Sequence, residues 1–203
     1  MIRYSDMDAA SEDMLKEIGN IGTGNAITAL SAMVGKTFSV GLPEIRIVNY
    51  QDTPELLGGP ETLGTGILLE ISDNLSGIFM FLLDETFTKN ILNALLGEEK
   101  RELVTLDEMS SSAICEIGNV MCGAYINALA QMMGVKVHVS VPDICCDMIG
   151  AILSVPMIHF ANLSDELMLI ENKFSIEGND FTSHVLFLPE IETLDKIFQA
   201  LNR

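Results

Sequence analysis

Apolar residues recur at helical spacing in two long stretches, residues 6–34 and 106–133, and the pattern changes to short β-rich runs after each of them. The first run of strands is "EIRIVNY" (44–50), "TGILLEI" (65–71) and "SGIFMFLL" (76–83). The second is "KVHVSV" (136–141), "ELMLIENKFSI" (166–176) and "SHVLFL" (183–188). Amphipathic segments at 85–96 and 190–202 predict a closing helix for each set, and the polar stretch "GEEKREL" (97–103) separates the sets. Ser5 with Asp8, and Thr105 with Glu108, have the spacing of N-cap and N3 residues, while Gly35 and Gly134 fall where a helix C-cap is expected.

The same order of elements thus occurs twice, and the residues repeat with it. Shifting the chain by 99 positions aligns "EIGNIGTGNAITALSAMVGKTFSVGLP" (17–43) with "EIGNVMCGAYINALAQMMGVKVHVSVP" (116–142) without a gap, with 12 of 27 positions identical. Further on, "FLLDETFTKNILNAL" (81–95) resembles "FLPEIETLDKIFQAL" (187–201) at an offset of 106. A helix, three strands and a helix do not alternate as a parallel βαβ chain would. The expected fold is therefore α+β: two homologous halves, about 1–99 and 100–203, related by an approximate two-fold axis within one domain spanning 1–203. Their strands would join one antiparallel-rich sheet with the two long helices lying on it.

Composition narrows the partners more than the fold. With 29 acidic against 11 basic residues the formal charge is −18, the wrong sign for displacing counterions from DNA or RNA, and unfavourable toward anionic lipid surfaces. The longest apolar run, near 77–83, is short of the roughly 18 to 20 residues of a membrane span, so no membrane insertion is expected. The acidic start "MIRYSDMDAASEDML" has no apolar core of a secretory signal, which predicts a cytoplasmic protein. Cys115 and Cys122 should share a helix, and the adjacent Cys145 and Cys146 should point to opposite faces of a strand. There is no Cys-x-x-Cys pair, and none of His138, His159 and His184 stands at ligand spacing from a cysteine, so no metal site is expected.

The candidate chemistry lies in the repeat. On the first helix Asp13, Glu17, Asn20 and Gly24 stand at i, i+4, i+7 and i+11, a single polar stripe; Ser112, Glu116, Asn119 and Gly123 repeat it on the second. Met14, Ile18 and Ile21 form the neighbouring apolar stripe and are expected to face the core. A lone Glu and Asn on a helix would ordinarily do no more than solvate it. Asn is a weak helix former, however, and its recurrence in mid-helix beside a glycine asks for a reason. An amide offers both a donor and an acceptor, so it can grip a water and aim its lone pair, but it is not a base. Such a group suits hydrolysis of an already activated bond, where positioning suffices, and an acyl phosphate is such a substrate. The glutamate can pair with a lysine of a substrate protein.

Asp13-x3-Glu17-x2-Asn20-x22-Pro43 and Ser112-x3-Glu116-x2-Asn119-x22-Pro142 both match the signature [Asp/Ser]-x3-Glu-x2-Asn-x22-Pro. In this the chain resembles the CheC/CheX/FliY phosphatases of bacterial chemotaxis, and two motifs in 203 residues resemble the CheC branch. The resemblance implies dephosphorylation of the response regulator CheY. Glu17 and Glu116 would pair with the regulator's active-site lysine, and Asn20 and Asn119 would orient the attacking water. Asp13 and Ser112 would support them, and Pro43 and Pro142 would be structural. It also implies no cofactor of the chain's own, since Mg²⁺ is supplied by the regulator, and a second partner, the receptor deamidase CheD. Asp147, in "CCDMIGAIL" (145–153), is the candidate contact for CheD. A non-catalytic adaptor that docks a response regulator or CheD would use the same surfaces and is the competing expectation.

Overall fold

The computed structural model describes residues 8–97, 106–159, 164–176 and 178–201. The elements run α1 (Ala9–Val34), β1 (Phe38–Val40), β2 (Glu44–Asn49), a 3-10 turn (Tyr50–Asp52), α2 (Thr53–Leu56), β3 (Leu63–Asp73), β4 (Gly77–Asp84) and α3 (Glu85–Leu96). The same order follows as α4 (Glu108–Met133), β5 (Val137–Val139), β6 (Asp143–Met148), α5 (Ile149–His159), β7 (Glu166–Ile176), β8 (Asn179–Pro189) and α6 (Ile191–Leu201). Among the described residues each half carries four strands rather than three. Neither β1 nor β6 was in the expected order: β1 has three residues, and in β6, "DICCDM", the adjacent cysteines blur the alternation. α5 escaped because "IGAILSVPMIH" is apolar on all sides and holds Gly150 and Pro156, so no helical period shows.

The long helices end as their glycines require. Gly35 and Gly134 adopt φ of +70° and +65°, the left-handed conformation that closes a helix, and Gly97 ends α3 in the same way at +66°. At the start of α4 the cap is Asp107, whose carboxylate accepts the Ser110 N–H at 2.7 Å. That displaces the expected Thr105/Glu108 pair by two residues; Ser5, Thr105, residues 98–103 of the polar linker and the boundary near 99–100 lie outside the described residues. Asp84 caps α3 similarly, accepting from the Phe87 N–H at 2.6 Å.

Eight strands form one sheet in the order β1–β7–β8–β4–β3–β5, with β2 also pairing with β7 and β6 with β3, and every pairing is antiparallel. Exchanging the halves reverses this order onto itself, so the pseudo-two-fold passes through the β4–β8 pair. There Met80 lies opposite Leu186, and these are equivalent positions at the offset of 106. The outer strands are exchanged: β1 and β2 of the first half pair with β7 of the second, and β5 and β6 pair with β3 of the first.

Both faces of the sheet are covered, which is why β4 reads as a continuous apolar run. On one face Phe79, Phe81 and Leu83 join Leu15 and Ile18 of α1, Ile114 and Ile117 of α4, Phe87 and Ile91 of α3, and Leu194 and Ile197 of α6. On the other face Ile78, Met80 and Leu82 join Leu57 beside α2 and Ile149, Ile152 and Leu153 of α5. By length and composition α4 is apolar enough to cross a membrane, but half of that stretch is buried inside the protein.

Candidate functional site

The tetrad Glu-Ile-Gly-Asn divides its four residues between core and solvent in the same way in both helices. Ile18 and Ile117 are buried. Gly19 and Gly118 let the helix backbone approach the sheet: a Cβ at Gly19 would run into Ile45, and one at Gly118 into Ile67. The glycine of the tetrad is thus needed for packing, and it leaves the flanking Glu and Asn on the outer surface. Glu17, Asn20, Glu116 and Asn119 are all exposed. Among the described residues none of these four side chains takes a hydrogen bond or ion pair within the chain.

The rest of each stripe follows. Asp13 is exposed with its carboxylate 3.9 Å from Lys16, whose ammonium also pairs with Glu12 at 2.8 Å; the hydrogen bond to Glu12 is the main reason the Lys16 pKa is raised. Ser112 is exposed on α4, where Cys115 occupies the position equivalent to Lys16. A Cβ at Gly24 or Gly123 would meet nothing within 4 Å, so both glycines border open space. Pro43 is half-buried and Pro142 buried. The Pro142 carbonyl accepts the Cys115 thiol at 3.9 Å, which lays the β5–β6 connection against α4 one residue from Glu116.

Met14 and Ile21 do not face the core. They are 40% and 46% exposed, whereas Leu15, Ile18, Gly22 and Ala26 make the buried face of α1. The sheet and α4 meet α1 on the far side of Ile18, so Met14 and Ile21 border the polar stripe instead.

Behind the stripes the two helices are joined by a closed polar ring. Tyr125 and Thr23 have their hydroxyls 2.8 Å apart, Thr23 Oγ1 donates to Asn172 Oδ1 at 2.9 Å, and Asn172 Nδ2 donates to the Tyr125 hydroxyl at 3.1 Å. All three side chains are buried, so each polar atom needs this partner set. Gly22 admits the Tyr125 ring, which a Cβ there would strike. The ring explains why Gly22-Thr23 stands where the second copy has Met121-Cys122.

The remaining candidates lie elsewhere. Asp147 is exposed on β6, accepts its neighbour Met148 N–H at 2.7 Å, and leads into α5, on the sheet face opposite α1 and α4. Burial raises the pKa of all four cysteine thiols, with the charge of Asp143 adding to the shift at Cys115, so none has the lowered pKa of a thiolate nucleophile. Cys115 and Cys122 share α4 and Cys145 and Cys146 share β6, as expected. Among the described residues no group of three or more His, Cys, Asp or Glu is arranged so that it could hold a metal ion.

A family model described as CheC-like matches residues 11–45 and 109–145, the two segments that hold the stripes. Over 193 residues the chain is 25% identical to the CheY-P phosphatase CheC of Bacillus subtilis (strain 168), covering 93% of this chain and 92% of that protein. Among solved structures, Thermotoga maritima FliY superposes with a TM-score of 0.73 at 22% identity, covering 97% of this chain and 98% of that one. The FliM middle domain of H. pylori superposes with a TM-score of 0.70 at 8% identity, over 96% and 99% of the two chains. These superpositions bear on the fold, while the two segments that resemble the CheC-like family carry both Glu/Asn stripes.

Proposed function

We propose that this chain is a hydrolase acting on the aspartyl phosphate of a CheY-type response regulator, with one centre at Glu17 and Asn20 and another at Glu116 and Asn119. The observation that carries this reading is that both Glu/Asn pairs are held outward with their polar atoms unengaged among the described residues, beside glycines that leave room for a visitor. The relative named CheY-P phosphatase CheC, aligned over 93% of the chain, supports the same substrate.

The regulator would bring its own lysine and bound Mg²⁺, and the positive charge that phosphoryl transfer needs comes with them. Glu17 or Glu116 pairs with that lysine and fixes the orientation of the phosphorylated aspartate. The amide oxygen of Asn20 or Asn119 accepts a hydrogen bond from a water and holds its lone pair in line with phosphorus. The water oxygen bonds to phosphorus as the bond to the aspartate oxygen breaks. The electron pair stays on the aspartate carboxylate, and inorganic phosphate leaves with the water's oxygen and both of its protons, one of which it can release to solvent. No residue of this chain becomes phosphorylated. Asp13 and Ser112 support the stripes from one turn before each Glu, and Pro43 and Pro142 fix the connections beside them. Asp147 and α5 form the surface proposed for CheD, and the substrate places the protein in the cytoplasm.

Decay of phosphorylated CheY, measured with and without the chain, tests the reading. Acceleration that disappears in the Asn20→Ala/Asn119→Ala double variant is expected. A wild-type chain that binds the regulator without hastening decay is an adaptor, and the hydrolase reading falls.

A further inference from the structure

Leu42 and Val141 are 94% and 82% exposed, the two most exposed large apolar side chains among the described residues. They are equivalent at the offset of 99, and each directly precedes a motif proline. Scattered surface leucines need no explanation, but a pair at matched positions of two diverged halves does. Nothing in the fold calls for an apolar side chain there, since both lie in strand connections at the outer ends of the sheet.

Their position is set by the stripes. The Pro142 carbonyl contacts the Cys115 thiol, so the connection that carries Val141 lies against α4 next to Glu116. At the first stripe, Leu42 precedes Pro43 on the corresponding connection, and the exposed Ile21 and Met14 border Glu17 on the helix itself. We infer that Leu42 and Val141 are the apolar anchors by which each centre grips the receiver domain it dephosphorylates, an inference that rests on the function proposed above. The occupant is assigned by number and place: there is one anchor per stripe, each directly before the proline of its own motif. A contact serving self-association or a third protein would have no reason to be copied with both stripes. The polar groups of the stripe carry orientation, and a desolvated aliphatic side chain at its edge carries residence time.

Titration with beryllofluoride-loaded CheY, which mimics the phosphorylated regulator without turnover, tests this beside the phosphate-release assay. The wild type is expected to bind at two sites. Leu42→Ser should leave one site unchanged and weaken the other about tenfold, the loss expected for an aliphatic side chain no longer buried. Val141→Ser should do the same to the other site. In the double variant KM for phosphorylated CheY should rise by a similar factor with kcat within about twofold, because the anchors do not touch the reacting atoms. Leu42→Gln and Val141→Gln repeat the test with bulk retained, and circular dichroism checks the fold. Wild-type affinity at both sites in the double variant overturns the inference while leaving the hydrolase reading intact. So does a change in the chain's own sedimentation with regulator affinity unmoved. Weakened binding in the variants, with no hydrolysis even by the wild type, keeps the anchors and overturns the hydrolase reading. No binding of the loaded regulator by the wild type overturns both.

Discussion

The hydroxyl of Thr23 on α1 lies 2.8 Å from the hydroxyl of Tyr125 on α4, so the helices bearing the two stripes are tied to each other through a buried polar contact. Tyr125→Phe removes the shared hydroxyl and leaves Thr23 and Asn172 still bonded to each other. A loss of about 1–2 kcal/mol in unfolding free energy is expected in urea titration. Thr28→Ala, which removes an exposed hydroxyl bonded to the Gly24 carbonyl of its own helix, should change stability by less.

The two stripes sit on separate helices, each with its own Glu/Asn pair. Asn20→Ala and Asn119→Ala should therefore each keep part of the acceleration of CheY-P decay, with roughly additive losses, and only the double variant should lose it entirely. Both asparagines are exposed, so none of the three variants should unfold. Complete loss from one single change in a folded protein would mean that the two motifs build one composite centre.

Gly24 and Gly123 are helical, and a methyl group at either would meet nothing within 4 Å. Glycine inside a helix costs roughly 1 kcal/mol relative to alanine. Gly24→Ala and Gly123→Ala should therefore raise the melting temperature, and together lower the rate of CheY-P decay if the space beside each Asn is kept for the regulator. A gain in stability with no loss of rate would show that the open space is not used.

His184 points into the outer sheet face beside Glu171, with Arg46 and Asp84 also close enough to act on it. Burial lowers its pKa from 6.5 and prevails over the opposing pull of Glu171, which lies 3.7 Å away. Because the unfolded chain binds the proton more readily, stability present above pH 6.5 should decline as the pH falls through the histidine's lowered value. At Glu171 burial alone would raise the pKa, but the Lys173 hydrogen bond and the charges of His184, Lys173 and Arg46 lower it from 4.5; a second decline should begin below that value. Unfolding titrations across this range check both steps, and His184→Gln should remove the first and reduce the second, which Lys173 and Arg46 still support.

Much of the fold could be read from the chain because its signals are local. Periodicity marks α1 and α4, Gly35 and Gly134 mark their ends, and the repeated Glu-Ile-Gly-Asn marks the candidate site. The outward placement of Met14 and Ile21 could not be read, since both lie next to Ile18 on the helix and only the packed sheet and α4 decide where the buried face stops. Nor could the role of Gly19 and Gly118: a glycine beside the polar pair looks like room for a ligand until Ile45 and Ile67 are seen beneath it. The signal for Leu42 and Val141 was present in the aligned repeats, but exposure is a property of the folded surface.

The exchange of outer strands has a consequence for how the chain folds. β3 and β4 can pair early as a hairpin, yet their outer neighbours β5 and β6 belong to the later half, while β1 and β2 must wait for β7. Neither half can close its share of the sheet alone. The pairs of β1 and β2 with β7 join residues more than a hundred positions apart, such as Glu44 with Glu171, those of β5 and β6 with β3 more than sixty, and closing such long loops slows folding. On the ribosome, the first hundred residues would emerge as an unfinished sheet with an open edge, which later-made strands must cover before a neighbouring chain does.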